Sequence, residues 1–222
     1  MRMRIPAIAV LVAIGLAGVS ARADFTPIAQ PTAAYTSSTT LVDITGIPDG
    51  TSGITSVTQG AQTISFDQSV TKTTVGVGWQ TWGAPPNTES STPPVLFRTS
   101  TNSLTLVLSV PSTTFGMELQ GNEFVLSQFL VIFLDEALNP VGNVNLQVDG
   151  SGGALLFAAS TTTSPFARVV INDTTQNAGG FAMAQLRFIP VPEPASVALI
   201  AQAIAAVGFY GWQKRRQMAA KV

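Results

Sequence analysis

The stretch "SLTLVLSVP" constrains this chain more than any other. Leu104, Leu106, Leu108 and Val110 fall on one side of an extended segment, and Thr105 and Ser109 fall on the other. A period of two suits a half-buried strand and not a helix, whose apolar face recurs every 3.6 residues. Other segments follow suit. "QTISF" places Ile64 and Phe66 on one face, and "TKTTVGVGW", "VLFRT", "TTFGMEL", "VNLQVDG", "ALLFAAST", "FARVVIND" and "GFAMAQLRFI" all read as strands. "FVLSQFLVIFLD" is too short for a membrane span and rich in β-formers, which predicts a buried central strand. "DEALNPVGN" is a turn, with Pro140 presetting φ and Gly142 free to take positive φ, and "VNLQVDG" pairs back as a hairpin. "GAPPNTESSTPP" is a loop by composition.

Short strands about every 8–12 residues, punctuated by Gly, Pro and Asn, predict an all-β fold. The expected form is a single antiparallel β-sandwich, jelly-roll-like, over residues 53–190. Residues 24–52 read as a polar lead-in holding one strand around Thr40 to Ile44. No repeat of fixed length appears, which disfavours solenoids and propellers.

The chain has neither cysteine nor histidine. The core must therefore hold the fold without disulfides. Ser-His and Cys-His nucleophiles and His- or Cys-ligated metal sites are excluded; no metal and no cofactor are expected. Between Asp24 and Pro190 there are four cations, Lys72, Arg98, Arg168 and Arg187, against eleven anions, hence a net charge of −7. An acidic body with scattered cations does not suit a phosphate backbone, so no nucleic acid is expected as a partner.

The two ends carry addresses. "MRMRIPAIAVLVAIGLAGVSARA" has basic Arg2 and Arg4, an apolar run from Ile5 to Val19, and Ala21-Arg22-Ala23. That pattern predicts a signal peptide over 1–23, cut by signal peptidase between Ala23 and Asp24. From Ala195 to Trp212 the one clearly polar residue is Gln202. About 18 residues at ~1.5 Å rise give a helix of ~27 Å, roughly one bilayer core. Lys214, Arg215 and Arg216 follow, which places the C-terminus inside and stops transfer. Pro192 and Pro194 hold Val191 to Pro194 extended, within reach of a processing enzyme. A plain C-terminal anchor is the simpler alternative.

"VPEP", an apolar helix and a terminal basic cluster, in that order over Val191 to Arg216, resemble the PEP-CTERM sorting signal, a tail also called the ice-binding protein C-terminal domain. The resemblance implies that an exosortase, a membrane protease, cuts near Pro192-Glu193-Pro194. It implies a transient stay in the inner membrane and a final place at the cell envelope surface or in the extracellular matrix. Gln202 departs from the Leu, Ala or Gly usual there. The stretch from Leu104 to Phe188 also resembles, more loosely, the β-sandwich that precedes many such tails. That likeness implies a fold like carbohydrate-binding jelly rolls and carries no activity.

Candidate ligand residues are few. Trp79 and Trp82, in "GVGWQTWGAPP", can present flat faces to sugar rings, or Trp79 can cap the core while Trp82 packs under the loop. Glu118 faces away from Phe115, Met117 and Leu119, either lining a concave sheet toward sugar hydroxyls or simply facing solvent. Asp149 in "VDGSGG" can give an oxygen to calcium, although a turn is the ordinary role.

Three functions follow. The first is a non-enzymatic surface or matrix protein. The second is a module that binds extracellular polysaccharide. The third is a glycoside hydrolase, which needs two carboxylates at ~5–5.5 Å or ~6.5–9.5 Å, from Glu118, Glu123, Asp135 or Asp149.

Overall fold

A computed structural model of the chain describes residues 24–191. The expected signal helix over 1–23, the sorting motif Pro192 to Pro194, the helix over 195–212 and Lys214 to Arg216 lie outside the described residues. Among the described residues no helix is long and apolar enough to cross a membrane.

The fold is all-β, as the alternation predicts. In chain order it comprises β1 (Phe25–Ile28), α1 (Ala33–Ser38), β2 (Thr40–Leu41), β3 (Ile54–Gln59), β4 (Gln62–Thr74) and β5 (Pro94–Thr99). There follow β6 (Ser103–Gly121), β7 (Leu126–Leu134), β8 (Pro140–Asp149), β9 (Leu155–Thr161), β10 (Phe166–Asp173) and β11 (Gly180–Pro190). Every pairing between these strands is antiparallel.

Two long strands shape the sandwich by serving both of its sheets. The first half of β6 lies between β4 and β10, pairing Leu108 with Ile64 and Leu104 with Ile171. Its second half lies between β11 and β9, pairing Leu119 with both Met183 and Leu155. β4 likewise pairs with β3 and β6 early and with β5 late. One sheet therefore runs β3-β4-β6-β10-β7-β8. The other runs β4-β5-β11-β6-β9-β1, with β2 on the far half of β11. "SLTLVLSVP" and "TTFGMEL", which read as separate strands, are this single β6. Pro111 stands where β6 passes from one sheet to the other, and the register shifts beside it at Ser112. A proline lacks the N–H that an uninterrupted ladder needs, so it fits such a break.

The sheets meet through aromatic rings. Phe129 of β7 packs edge-on to Phe181 of β11 and Phe157 of β9, at 5.6 and 6.3 Å between centroids. Phe25 of β1 packs on Phe133 and Phe166. Each fully buried Phe contributes about 1.5–3 kcal/mol of apolar transfer, and Phe115, Phe129, Phe133, Phe157, Phe166 and Phe181 are all fully buried. Burial of this kind replaces the disulfides the chain lacks. β7 is flanked by β10 and β8, but it buries one face only, through Ser127, Phe129, Val131 and Phe133.

Residues 24–52 are not a lead-in, which corrects the boundary expected at 53. β1 pairs along β9, β2 pairs with β11, and Val42 and Ile44 enter the main core. Their polar composition hid this, because few of their side chains point inward.

Candidate functional site

The outer face of the second sheet is covered rather than open. Its strands carry small residues there, Gly116, Ala158, Ala182 and Ala184, leaving room for side chains from two other segments. The connection between β4 and β5 lays Trp79 and Trp82 over Val95, Ala182 and Ala184. The α1 segment lays Tyr35 over Leu156 and Ala158. A ladder of polar groups lies beneath.

Gln120, fully buried, accepts from Trp79 Nε1 at 3.4 Å and donates to Thr81 Oγ1 at 2.8 Å and the Gly150 carbonyl at 2.6 Å. Two residues along the same face, Glu118 accepts from Trp82 Nε1 at 2.9 Å and from the Glu89 backbone N–H at 2.6 Å. Glu89 in turn takes Arg187 in a two-pronged pair, Nε to Oε1 at 2.6 Å and Nη2 to Oε2 at 2.7 Å. Arg187 Nη1 donates to the carbonyls of Thr36 and Thr39 at the end of α1. Burial pushes Glu118 up to about 7, against the pull of its two donors. Burial also raises Tyr35, whose hydroxyl has no hydrogen-bond partner.

Three sequence expectations change here. Trp79 and Trp82 are only 7% and 6% exposed, so neither presents an open face to a sugar ring; they cap and pack, as the alternative for them had it. Glu118 is 0% exposed and faces neither solvent nor an open concave sheet. A carboxylate titrating near neutrality suits a general acid, but both of its oxygens are committed inside a closed layer. The ladder therefore positions the covering segments. Its other members, Gln120, Glu89, Arg187 and Tyr35, went unmarked in the sequence. Gln120 alone had a local signal, since it alternates onto the same face as Glu118.

The remaining candidate carboxylates are dispersed. Asp135 closes the β7–β8 turn through Asn139. Asp149 lies at the opposite end of that hairpin, where it accepts from the Ser151 N–H and shapes a turn. About eight residues of strand at ~3.3 Å each separate the two ends, roughly 26 Å. Glu123 is exposed and lines a surface cleft.

That cleft, of about 300 Å³, opens where the connections after β4, β6 and β8 converge. Gln80, Thr81, Asn122 and Glu123 give it amide, hydroxyl and carboxylate groups, with Trp79 at its base. Phe124, 56% exposed, gives it an aromatic wall. A second depression, about 410 Å³, lies over the Arg187–Glu89 pair between Thr32, Thr36 and Pro85-Pro86. A third, about 470 Å³, is lined by Arg98, Phe97 and a group of hydroxyls.

No family model matches the chain, and no curated protein matches it. Several solved structures resemble it distantly. The family 11 carbohydrate-binding module from Clostridium thermocellum is 8% identical with a TM-score of 0.33, over 70% of this chain and 97% of that one. The first family 29 carbohydrate-binding module from Piromyces equi is 10% identical with a TM-score of 0.31, over 58% and 91%. The enzymatically active domain of tailspike protein 4 from bacteriophage CBA120 is 17% identical with a TM-score of 0.30, over 59% of this chain and 19% of that one. At these scores the likeness assigns neither ligand nor activity.

Proposed function

We propose that this chain is an exported protein, sorted to the cell surface or extracellular matrix by an exosortase acting on its C-terminal segment, and that its jelly-roll-like body is a non-catalytic module binding extracellular polysaccharide. The observation that carries the binding reading is the cleft at the sandwich end. Phe124 lines it with an exposed ring, beside the amides of Gln80 and Asn122 and the Glu123 carboxylate. A pyranose has one apolar face and a girdle of hydroxyls, and this cleft offers both complements. Large apolar groups left in water mark contact sites, and exposed Val77 and Leu126 flank Phe124 and the cleft in sequence. The enclosure of Glu118 and the separation of Asp135 from Asp149 at opposite ends of the β7–β8 hairpin favour binding over hydrolysis.

The test is affinity electrophoresis of the chain through gels carrying the host's exopolysaccharide. Retardation is expected. Phe124→Ala should remove it without lowering the melting temperature, because the ring is outside the core. Unretarded migration in every gel overturns the binding reading.

Support for sorting comes from the sequence, where Pro192-Glu193-Pro194, an apolar run and Lys214 to Arg216 stand in the order of a PEP-CTERM tail. The mature protein from a native host should lack residues 195–222, and Glu193→Ala should leave uncut precursor in the inner membrane. A mature mass that still includes 195–222 reduces the tail to an anchor.

A further inference from the structure

Of the four cations among the described residues, Lys72 pairs with Asp49 and Arg187 with Glu89. Arg98 and Arg168 have no carboxylate partner there, and Arg98 has a further peculiarity. Its Nη1 donates to the Ser69 carbonyl at 2.8 Å, while its Nε is buried without any hydrogen-bond partner. The Nε and Nη2 atoms form one edge of a guanidinium, the edge that fits a carboxylate with two parallel hydrogen bonds. Arg187 uses that same edge on Glu89.

Arg98 lines the third depression, which shares no lining residue with the Phe124 cleft. Around it stand the hydroxyl-bearing residues Ser52, Ser69, Thr71, Thr99 and Ser100. A buried charged donor without a partner is costly, about 1–3 kcal/mol or more. Among the described residues Nη2 is neither buried nor bonded, and a ligand carboxylate on it meets the guanidinium charge from the depression. The hydroxyls suit a ligand that is itself rich in hydroxyls. We propose that the Arg98 depression is a second glycan subsite, selective for the carboxylate of a uronic acid, so that the polysaccharide bound by this module is an acidic one. This rests on the polysaccharide-binding reading above.

The experiment measures trigalacturonate and its neutral counterpart galactotriose binding to the full chain in mild detergent, by calorimetry. Trigalacturonate should bind more tightly, and Arg98→Gln should weaken it at least about tenfold, the scale of a hydrogen-bonded charge. Arg168→Gln should not weaken it. Ser52→Glu leaves Arg98 in place and sets a carboxylate at the exposed edge of the depression; it should block trigalacturonate to the same degree. If Arg98→Gln and Ser52→Glu both leave trigalacturonate affinity unchanged while Phe124→Ala abolishes glycan binding, the subsite is overturned and the module reading stands. If neither sugar binds while the host's exopolysaccharide still retards the chain, the uronic acid subsite falls and the module reading stands. A triaspartate peptide bound as tightly as trigalacturonate, with the same dependence on Arg98, would assign the depression to acidic peptides and overturn the glycan subsite.

Discussion

Trp82 donates its indole N–H to Glu118 at 2.9 Å beneath the covered face of the second sheet. The two residues are 36 apart in sequence. The bond fastens the connection between β4 and β5 to the strand that both sheets share. Trp82→Phe keeps an aromatic side chain but removes the donor and part of the indole, leaving a buried carboxylate oxygen unmet and a gap in the packing. The expected loss is about 2–4 kcal/mol in urea unfolding. Glu118→Gln should cost about 1–3 kcal/mol, because its amide meets two donors with one acceptor. The double variant should cost less than the sum, and strict additivity would show that the bond is energetically idle.

The same carboxylate gives a pH dependence. Burial raises Glu118 from 4.5 to about 7, so the native state holds a proton there that the unfolded chain releases. Its contribution is therefore fully present below about pH 4.5 and is lost as pH rises through about 7, by on the order of 3 kcal/mol. Asp43, Asp49 and Asp135 act in the opposite sense in a lower window. Hydrogen bonds from Thr45, Lys72 and Asn139, respectively, hold them below the usual 3.8, so their support is lost only as pH falls through that range. Urea midpoints should fall from pH 4.5 to 7.5 in the natural chain and stay level in Glu118→Gln. Parallel declines in both would place the proton elsewhere.

Arg187 joins three segments distant in sequence: Glu89 in the covering connection, the Thr36 and Thr39 carbonyls at the end of α1, and its own strand β11. Both side chains of the ion pair are only 11% exposed. Glu89→Ala leaves Arg187 enclosed without a counter-charge, at an expected cost of about 3–5 kcal/mol. Amide exchange should quicken in residues 33–45 as well as 79–92. Faster exchange confined to 79–92 would show that Arg187 does not tie the two segments together.

Tyr35 and Gly116 form a tight contact with opposite predictions for its two sides. The Tyr35 hydroxyl is buried without a partner, so Tyr35→Phe should leave stability unchanged or raise it slightly. A Cβ on Gly116 would run into Ala158 and lie 2.5 Å from the Tyr35 oxygen. Gly116→Ala should cost about 1–3 kcal/mol as overpacking, and Tyr35→Phe/Gly116→Ala together should recover little, because Ala158 still blocks the site. Thermal melts of the three variants decide it.

The N-terminal segment offers the clearest test of where the domain begins. Residues 24–190 alone should give a β-dominated circular dichroism spectrum and one cooperative melt. Residues 53–190 should not, because they lack Phe25, Val42 and Ile44 and uncover the outer edge of β9. Equal melts for both would restore the boundary at 53.

The sequence by itself determined the fold class. Alternation such as Leu104, Leu106 and Leu108 is a local property, and a period of two can be satisfied only by strands with one buried face. The β7–β8 hairpin was legible as a pair of contiguous strands, but Pro140 and Gly142, read as its turn, belong to β8, and Leu138 takes the positive φ. The tertiary structure alone decided which outward faces stay in water. Glu118 alternates outward as its neighbours require, yet it is buried, because residues 35, 82 and 89 arrive over it from elsewhere in the chain. The polar composition of 24–52 likewise concealed a segment whose few apolar side chains complete the core. The two tryptophans left a sugar platform and core packing both open for the same reason. Strand patterning specifies the direction in which a side chain leaves the backbone, whereas burial depends on what long-range packing places there.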